Sequence, residues 1–211
     1  MIIVGICGAS GSGKSTLARK IEESLNCSVK TIGQDCYYVD HSDMPFIERV
    51  HINYDAPHSF DHSALFEDVT CLRDGHPITK KGYDYKTHCR ADTSEIITPP
   101  DVLILEGIHM FYDKKLCSLM SLKVYMHVDK DICLLRRIKR DITTRGRTID
   151  NISEQYLKTV KPMYEEYVSK YIADADFAVM RGGNNTMAID AISAYLTTKV
   201  LTEGYSALAI D

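Results

Sequence analysis

No apolar run in this chain approaches the ~18 residues that a membrane span needs, and no internal repeat or low-complexity tract breaks its 211 residues. The cysteines are seven, at 7, 27, 36, 71, 89, 117 and 133. The odd count and the lack of any C-x-x-C pair argue against both a disulfide framework and a zinc site. An excess of one charge is missing too: 25 Lys and Arg stand against 29 Asp and Glu, a formal net charge of −4. Such a balance gives no electrostatic reason to expect nucleic acid or an anionic membrane as partner. No basic segment precedes the first apolar run at Ile2, so secretion is not expected and a reducing cytoplasm is the expected location. The length suits one α/β domain with a substantial core.

What is present begins at residue 2. The apolar run Ile2 to Cys7 leads into Gly8-Ala9-Ser10-Gly11-Ser12-Gly13-Lys14-Ser15, and a helix-forming segment follows from Thr16 to Leu25. Strand, glycine turn and helix start, with the spacing G-x-x-x-x-G-K-[ST], are the pattern of a phosphate-binding P-loop. Small residues let successive backbone N–H groups turn toward one anion, and the start of the helix adds positive potential there. Lys14 offers a point charge for outer phosphates, and the Ser15 hydroxyl can serve Mg²⁺. Residues 8 to 16 are therefore the expected nucleotide cradle.

Further along, Ser28 to Ile32 reads as a second strand ending at Gly33-Gln34-Asp35, where α/β sheets place ligands. The segment from Val39 to Phe60 reads as loops with at most a short helix. Asp61 is placed to cap a helix carrying Leu65, Val69 and Leu72. Residues 76–98 suggest a small hairpin outside the main sheet. Val102 to Leu105 reads as a central parallel strand that delivers Glu106 at its end. Leu122 to Val128 is another strand, Asp131 is expected to open a basic helix, and a long helix is expected after Ser153 with an interruption at Pro162. A last strand at Phe177 to Met180 and a helix from Met187 to about Leu201 close the pattern. Five strands alternating with helices predict a doubly wound parallel sheet.

Phosphoryl transfer requires a phosphate cradle, a metal, a positioned acceptor and cations around the transferring group. Asp35 and Glu106 end strands on the edge that carries the P-loop, so with Ser15 they form a candidate Mg²⁺ site; each could equally be a solvated acid or a cap. Arg137 and Arg140 share a helix face, and Arg145 and Arg147 flank Gly146, a hinge-like position. Residues 141–150 are the expected arginine lid, against the alternative of a solvated basic helix. Tyr83, Tyr85 and His88 could line a planar pocket or be ordinary strand residues. His109 and His127 are expected to be structural.

Together these residues resemble the uridine kinases, also called uridine-cytidine kinases, over nearly the whole chain. Beyond the P-loop, the resemblance rests on Gln34 to Tyr38, Pro45 to Val50, Asn53-Tyr54-Asp55, Tyr83 to His88, Leu105 to Ile108, Arg136 to Asp141, Arg145-Gly146-Arg147 and Gln155 to Met163. It implies transfer of the γ-phosphoryl of ATP or GTP to the 5′-hydroxyl of uridine or cytidine in pyrimidine salvage. It also implies Asp35 as the catalytic base, with Lys14, Arg140 and Arg145 on the phosphates and Ser15, Asp35 and Glu106 around Mg²⁺. Asp55 and Arg137 match ribose contacts; Tyr83, His88, Arg147 and Gln155 match the pyrimidine pocket. A homotetramer is the implied assembly. The chain departs from the family in reading Asp55-Ala56-Pro57-His58-Ser59-Phe60-Asp61 for Asp-His-Pro-Asp-Ala-Phe-Asp, Lys81-Gly82 for Pro-Val, and His109 for an apolar residue. Another acceptor stays open on these grounds: another nucleoside, nicotinamide riboside, pantothenate or a sugar phosphate. A regulatory nucleotide switch is the remaining alternative, although no Asn-Lys-x-Asp segment of the small GTPases is present.

Overall fold

Parallel strands must be covered on both faces, and the first strand shows this most fully. The computed structural model describes residues 1–208. In it, every residue of β1 (Ile2–Gly8) is buried. Strand β1 lies between β5 (Val102–Gly107) and β6 (Leu122–His127) in a five-stranded parallel sheet of order β2-β5-β1-β6-β7, with β2 (Val29–Gly33) and β7 (Phe177–Met180) at the edges. Side chains alternate along β1. Ile3 and Cys7 join Leu103, Leu105 and Tyr125 in one core layer, closed by Leu65, Val69 and Leu72 of α3 (His62–Arg73). Ile2, Val4 and Ile6 join Ile104 and Val124 in the other, closed by α1 (Lys14–Ser24) and α8 (Thr186–Leu208). The doubly wound α/β sheet expected from the sequence is thus the fold.

Register sets the working edge. Ile6 pairs with Glu106 on β5, and Glu106 in turn pairs with Gly33 on β2. The P-loop, Glu106 and the turn containing Asp35 therefore leave the sheet side by side, at the C-terminal ends of their strands. Strands β3 (Ile78–Asp84) and β4 (Cys89–Ile97) form a separate antiparallel hairpin. The loop region before α3 contains only the short helix α2 (Phe46–Arg49) and a 3₁₀ turn at Pro57–Ser59.

Several boundaries differ from the sequence reading. Helix α5 (Lys130–Arg145) starts one residue before Asp131, with Asp129 as the residue at its cap. Its end is a helix cap: Gly146 takes the left-handed conformation, φ 64°, and donates to the Asp141 carbonyl. The stretch 141–150 is thus the last turn of α5, this cap and the first turn of α6 (Ile149–Gln155), which Thr148 starts by accepting from Asn151 N. The helix expected after Ser153 accordingly begins at Ile149. Nor does Pro162 interrupt it. A π-helical turn at Tyr156–Val160 precedes α7 (Lys161–Glu166), and Pro162 falls in the first turn of α7. Its ring would crowd the carbonyl of Lys158, which lies inside the widened turn. At the chain's end α8 runs past Leu201 to Leu208.

Asp61 caps α3 by accepting from Ala64 N at 3.0 Å. Asp61→Ala is expected to cost about 1 kcal/mol of stability, measured as a lower denaturant midpoint with an unchanged slope.

Candidate active site

The P-loop is shaped by two left-handed glycines. Gly11 (φ 85°) runs so close to α5 that a Cβ there would lie 2.2 Å from the Cys133 carbonyl oxygen, and a Cβ on Gly13 (φ 96°) would lie 2.8 Å from Gly183 N. Only glycine combines these angles with such close approach. The loop is thereby wedged between α5 and the turn after β7, and Thr16 packs beside Gly183. Lys14 donates to the carbonyls of Gly8 and Ala9 at 3.1 and 3.0 Å. The buried Ser12 hydroxyl has no hydrogen-bond partner among the described residues. A cradle of backbone amides, an orphaned buried hydroxyl and a lysine fit a polyphosphate.

Beside it, Ser15 donates to Glu106 Oε1 at 2.7 Å. Burial pushes the Glu106 carboxyl up, against Lys14 and the Ser15 hydroxyl, which favour its charged form. Asp35 sits in the 3₁₀ turn Gln34–Tyr37. That turn is held against β5 by buried Gln34, whose Oε1 accepts from His109 N at 2.9 Å. Hydroxyl and carboxylate oxygens are the hard donors that Mg²⁺ takes, and one or two carboxylates with substrate phosphates suffice for it.

The cleft, of about 100 Å³, runs from Ser10, Lys14 and Ser15 past Asp35 and Glu106 to Asp55, Tyr83, His88, Arg137, Arg140, Arg145, Arg147 and Gln155. The residues singled out from the sequence therefore face one space, while Gly8, Ala9, Gly11, Ser12, Gly13 and Thr16 build the loop at its end. At the far end, Asp55 accepts from Thr159 at 2.8 Å and lies 4.0 Å from Arg137. Arg137 donates to Ser10 at 2.9 Å and to Gln155 at 2.8 Å, and Arg147 also donates to Gln155. Aromatic rings form one wall. Tyr38 stacks on Phe60 at 4.4 Å and lies 4.7 Å from Tyr83; Tyr54 stacks on His88 at 4.8 Å. His88 has φ 55°, held there by a hairpin tip in which Asp84 accepts from Lys86 N, Thr87 Oγ1 and His88 N. Burial, with Arg147 next, pushes the His88 imidazole down.

Several contributors went unmarked in the sequence. Asp141 is fully buried, and its carboxylate meets Arg140 at 2.8 Å, Arg145 at 3.5 Å and Arg137 at 3.6 Å. Burial works to raise this carboxyl, yet the three guanidinium groups, Arg140 foremost, hold it below its usual range. Its i+4 spacing from Arg137 and to Arg145 was a readable signal. Thr159 carried none, because its aim depends on the π turn. His109 is buried, as expected of a structural residue. Its ring bridges Tyr171 OH at 3.0 Å and the Asp55 carbonyl at 2.6 Å, supporting the backbone next to Ala56.

A P-loop at the end of β1, carboxylates on the neighbouring strand ends and an arginine-lined cleft define a P-loop kinase. Residues 3–188 match the model of the phosphoribulokinase / uridine kinase family, and the chain belongs to that family. It is 47% identical over 192 residues to a uridine kinase of Latilactobacillus sakei, covering 90% of each chain. To a uridine kinase of Bacillus subtilis it is 43% identical over 202 residues, covering 95% of this chain and 94% of the other. The phosphoribulokinase of Rhodobacter spheroides shares the fold, with a TM-score of 0.63 at 16% identity over 85% of this chain and 69% of that one.

His109 generates a pH signature. Burial, only partly offset by the Asp55 carbonyl, pushes it from an ordinary 6.5 down to about 4. Above pH 6.5 both the folded and the unfolded chain are neutral here. As the pH falls from 6.5 toward about 4, the unfolded chain takes up a proton that the folded one refuses, so stability is lost across that window. In urea unfolding at about pH 7 and about pH 5, His109→Gln should be less stable at both but lose less between them than the wild type.

Proposed function

We propose that the protein is a uridine-cytidine kinase that transfers the γ-phosphoryl of ATP or GTP to the 5′-hydroxyl of a pyrimidine ribonucleoside, forming UMP or CMP in salvage. The observation that carries this reading is one continuous cleft with the phosphate loop at one end, the pairing of Asp55 and Arg137 at the other, and Asp35 lining it between strand ends. The curated relatives named uridine kinase support the acceptor.

A bound donor nucleotide would supply the transferable phosphoryl group, and Mg²⁺ would supply positive charge that offsets its phosphates. The P-loop amides and Lys14 bind those phosphates, and Ser15, Asp35 and Glu106 would hold the ion. Asp35 orients the 5′-hydroxyl and receives its proton; orientation is the larger part of that work, because the loose transition state demands little early deprotonation. Arg140 and Arg145 neutralise charge spread over the transferring group. Asp55 and Arg137 take the ribose 2′ and 3′ hydroxyls, a carboxylate and a guanidinium offering acceptor and donors to the diol. Tyr83 and His88 pack against the pyrimidine while Arg147 and Gln155 serve its polar edge. The enzyme works in the cytoplasm, in keeping with its seven free thiols, and as a homotetramer on the family resemblance. No helix among the described residues is long and apolar enough to cross a membrane.

ADP release with ATP and Mg²⁺ across uridine, cytidine, deoxyuridine, adenosine, guanosine and nicotinamide riboside tests the reading. Turnover is expected with uridine and cytidine, and much less with deoxyuridine because an unpaired ribose site rejects the analogue lacking its hydroxyl. Turnover confined to a different acceptor would discard the pyrimidine pocket and keep the phosphate site. Asp35→Asn is expected to lower kcat by about 10²–10⁴-fold with little change in ATP binding; a near-normal rate removes Asp35 from the base role. His88→Ala should weaken uridine binding more than ATP binding, whereas equal losses would indicate a folding defect.

A further inference from the structure

The carboxylate of Asp35 has two chemically equivalent oxygens, and a terminal sp³–sp² torsion of this kind is broad and roughly two-fold. A base that must meet one hydroxyl from one direction needs that equivalence broken. The structure contains a donor that does so. The Tyr85 hydroxyl, reaching in from the turn of the hairpin, donates to Asp35 Oδ2 at 2.5 Å. Among the described residues it is the only side chain that donates a hydrogen bond to this carboxylate. The ring that carries the hydroxyl is itself fixed from two sides. The Arg145 guanidinium lies 3.8 Å from the ring centroid, a cation–π contact. Tyr83 meets it edge-on at 5.3 Å and 84°.

We propose that Tyr85 is a positioning residue for phosphoryl transfer: its hydroxyl occupies Asp35 Oδ2, so that Oδ1 is the oxygen presented to the acceptor hydroxyl. This rests on Asp35 as the receiving carboxylate. Tyr85 keeps its own proton throughout, and Oδ1 takes that of the acceptor. The same ring joins the end of α5 to the base, since the arginine stacked on it comes from the last turn of α5 while the hydroxyl ends on the turn after β2. The role differs from that of Tyr83 and His88: Tyr85 acts through Asp35 and needs no contact with the nucleoside base.

Tyr85→Phe separates the hydroxyl from the ring, because it retains the platform for Arg145. In the full-length protein with ATP, Mg²⁺ and uridine, kcat is expected to fall about tenfold, a loss of orientation at the reacting oxygen. The KM for uridine and its calorimetric Kd should stay within about twofold and the melting temperature should be unchanged, which a packing defect would not allow. In an Asp35→Asn background the same substitution should cause no further loss, because residues that act as a unit are non-additive. A wild-type kcat for Tyr85→Phe beside a disabled Asp35→Asn overturns the proposal alone, as does an independent, multiplicative loss in the double variant. A wild-type rate for Asp35→Asn overturns the reading of Asp35 and the proposal with it.

Discussion

Cationic side chains that serve one anion must first be kept from driving each other apart. Two like charges about 4 Å apart repel by about 4 kcal/mol at an effective dielectric of 20, and Arg137, Arg140, Arg145, Arg147 and Lys14 all face one cleft. The counter-charge is Asp141, fully buried in α5 and in reach of three of the guanidinium groups. Stranding charges like these by removing one partner of a buried pair typically costs about 3–5 kcal/mol. The helix makes the gathering possible, because residues four apart stack on one face.

The way Asp141 is approached matters as much as its charge. Arg137 and Arg140 turn their Nε edges toward it. Their terminal nitrogens are left for other partners, and those of Arg137 reach Ser10 of the P-loop and Gln155 of α6. One carboxylate thus sets the rotation of the guanidinium planes and ties the phosphate end of the cleft to its far end. The backbone carbonyl of the same residue accepts from Gly146 N and Arg147 N, so the turn carrying the last arginine hangs from the same point.

Much of this was legible from local chemistry. The P-loop declares itself because its glycines, lysine and serine answer to an anion within one turn of chain, and the strand end at Glu106 follows from the apolar run Val102 to Leu105, whose burial in a parallel sheet leaves little choice. Asp61 could be read as a cap because capping is a contact over three residues. What escaped depends on distant partners or on irregular backbone. Tyr85 looked like one more pocket aromatic because its bond to Asp35 spans fifty residues of chain. The role of Gly146 as a cap was not read, because it depends on where α5 ends and which of its last carbonyls need donors. Pro162 suggested a break, because sequence periodicity does not reveal a π turn that makes room for its ring.

That π turn holds one residue more than a regular helix would use for the same rise. Gln155, just before the turn, lines the cleft; Thr159, within it, donates to Asp55; and α7 continues beyond, with Tyr164 against the core. Because each residue of a regular helix advances the chain by about 100°, deleting a single residue from 156–160 would restore an unbroken spiral yet rotate the two halves out of phase. The irregularity therefore acts as a phase shifter: the helix can satisfy the cleft on one side and the protein core on the other only by losing count once between them.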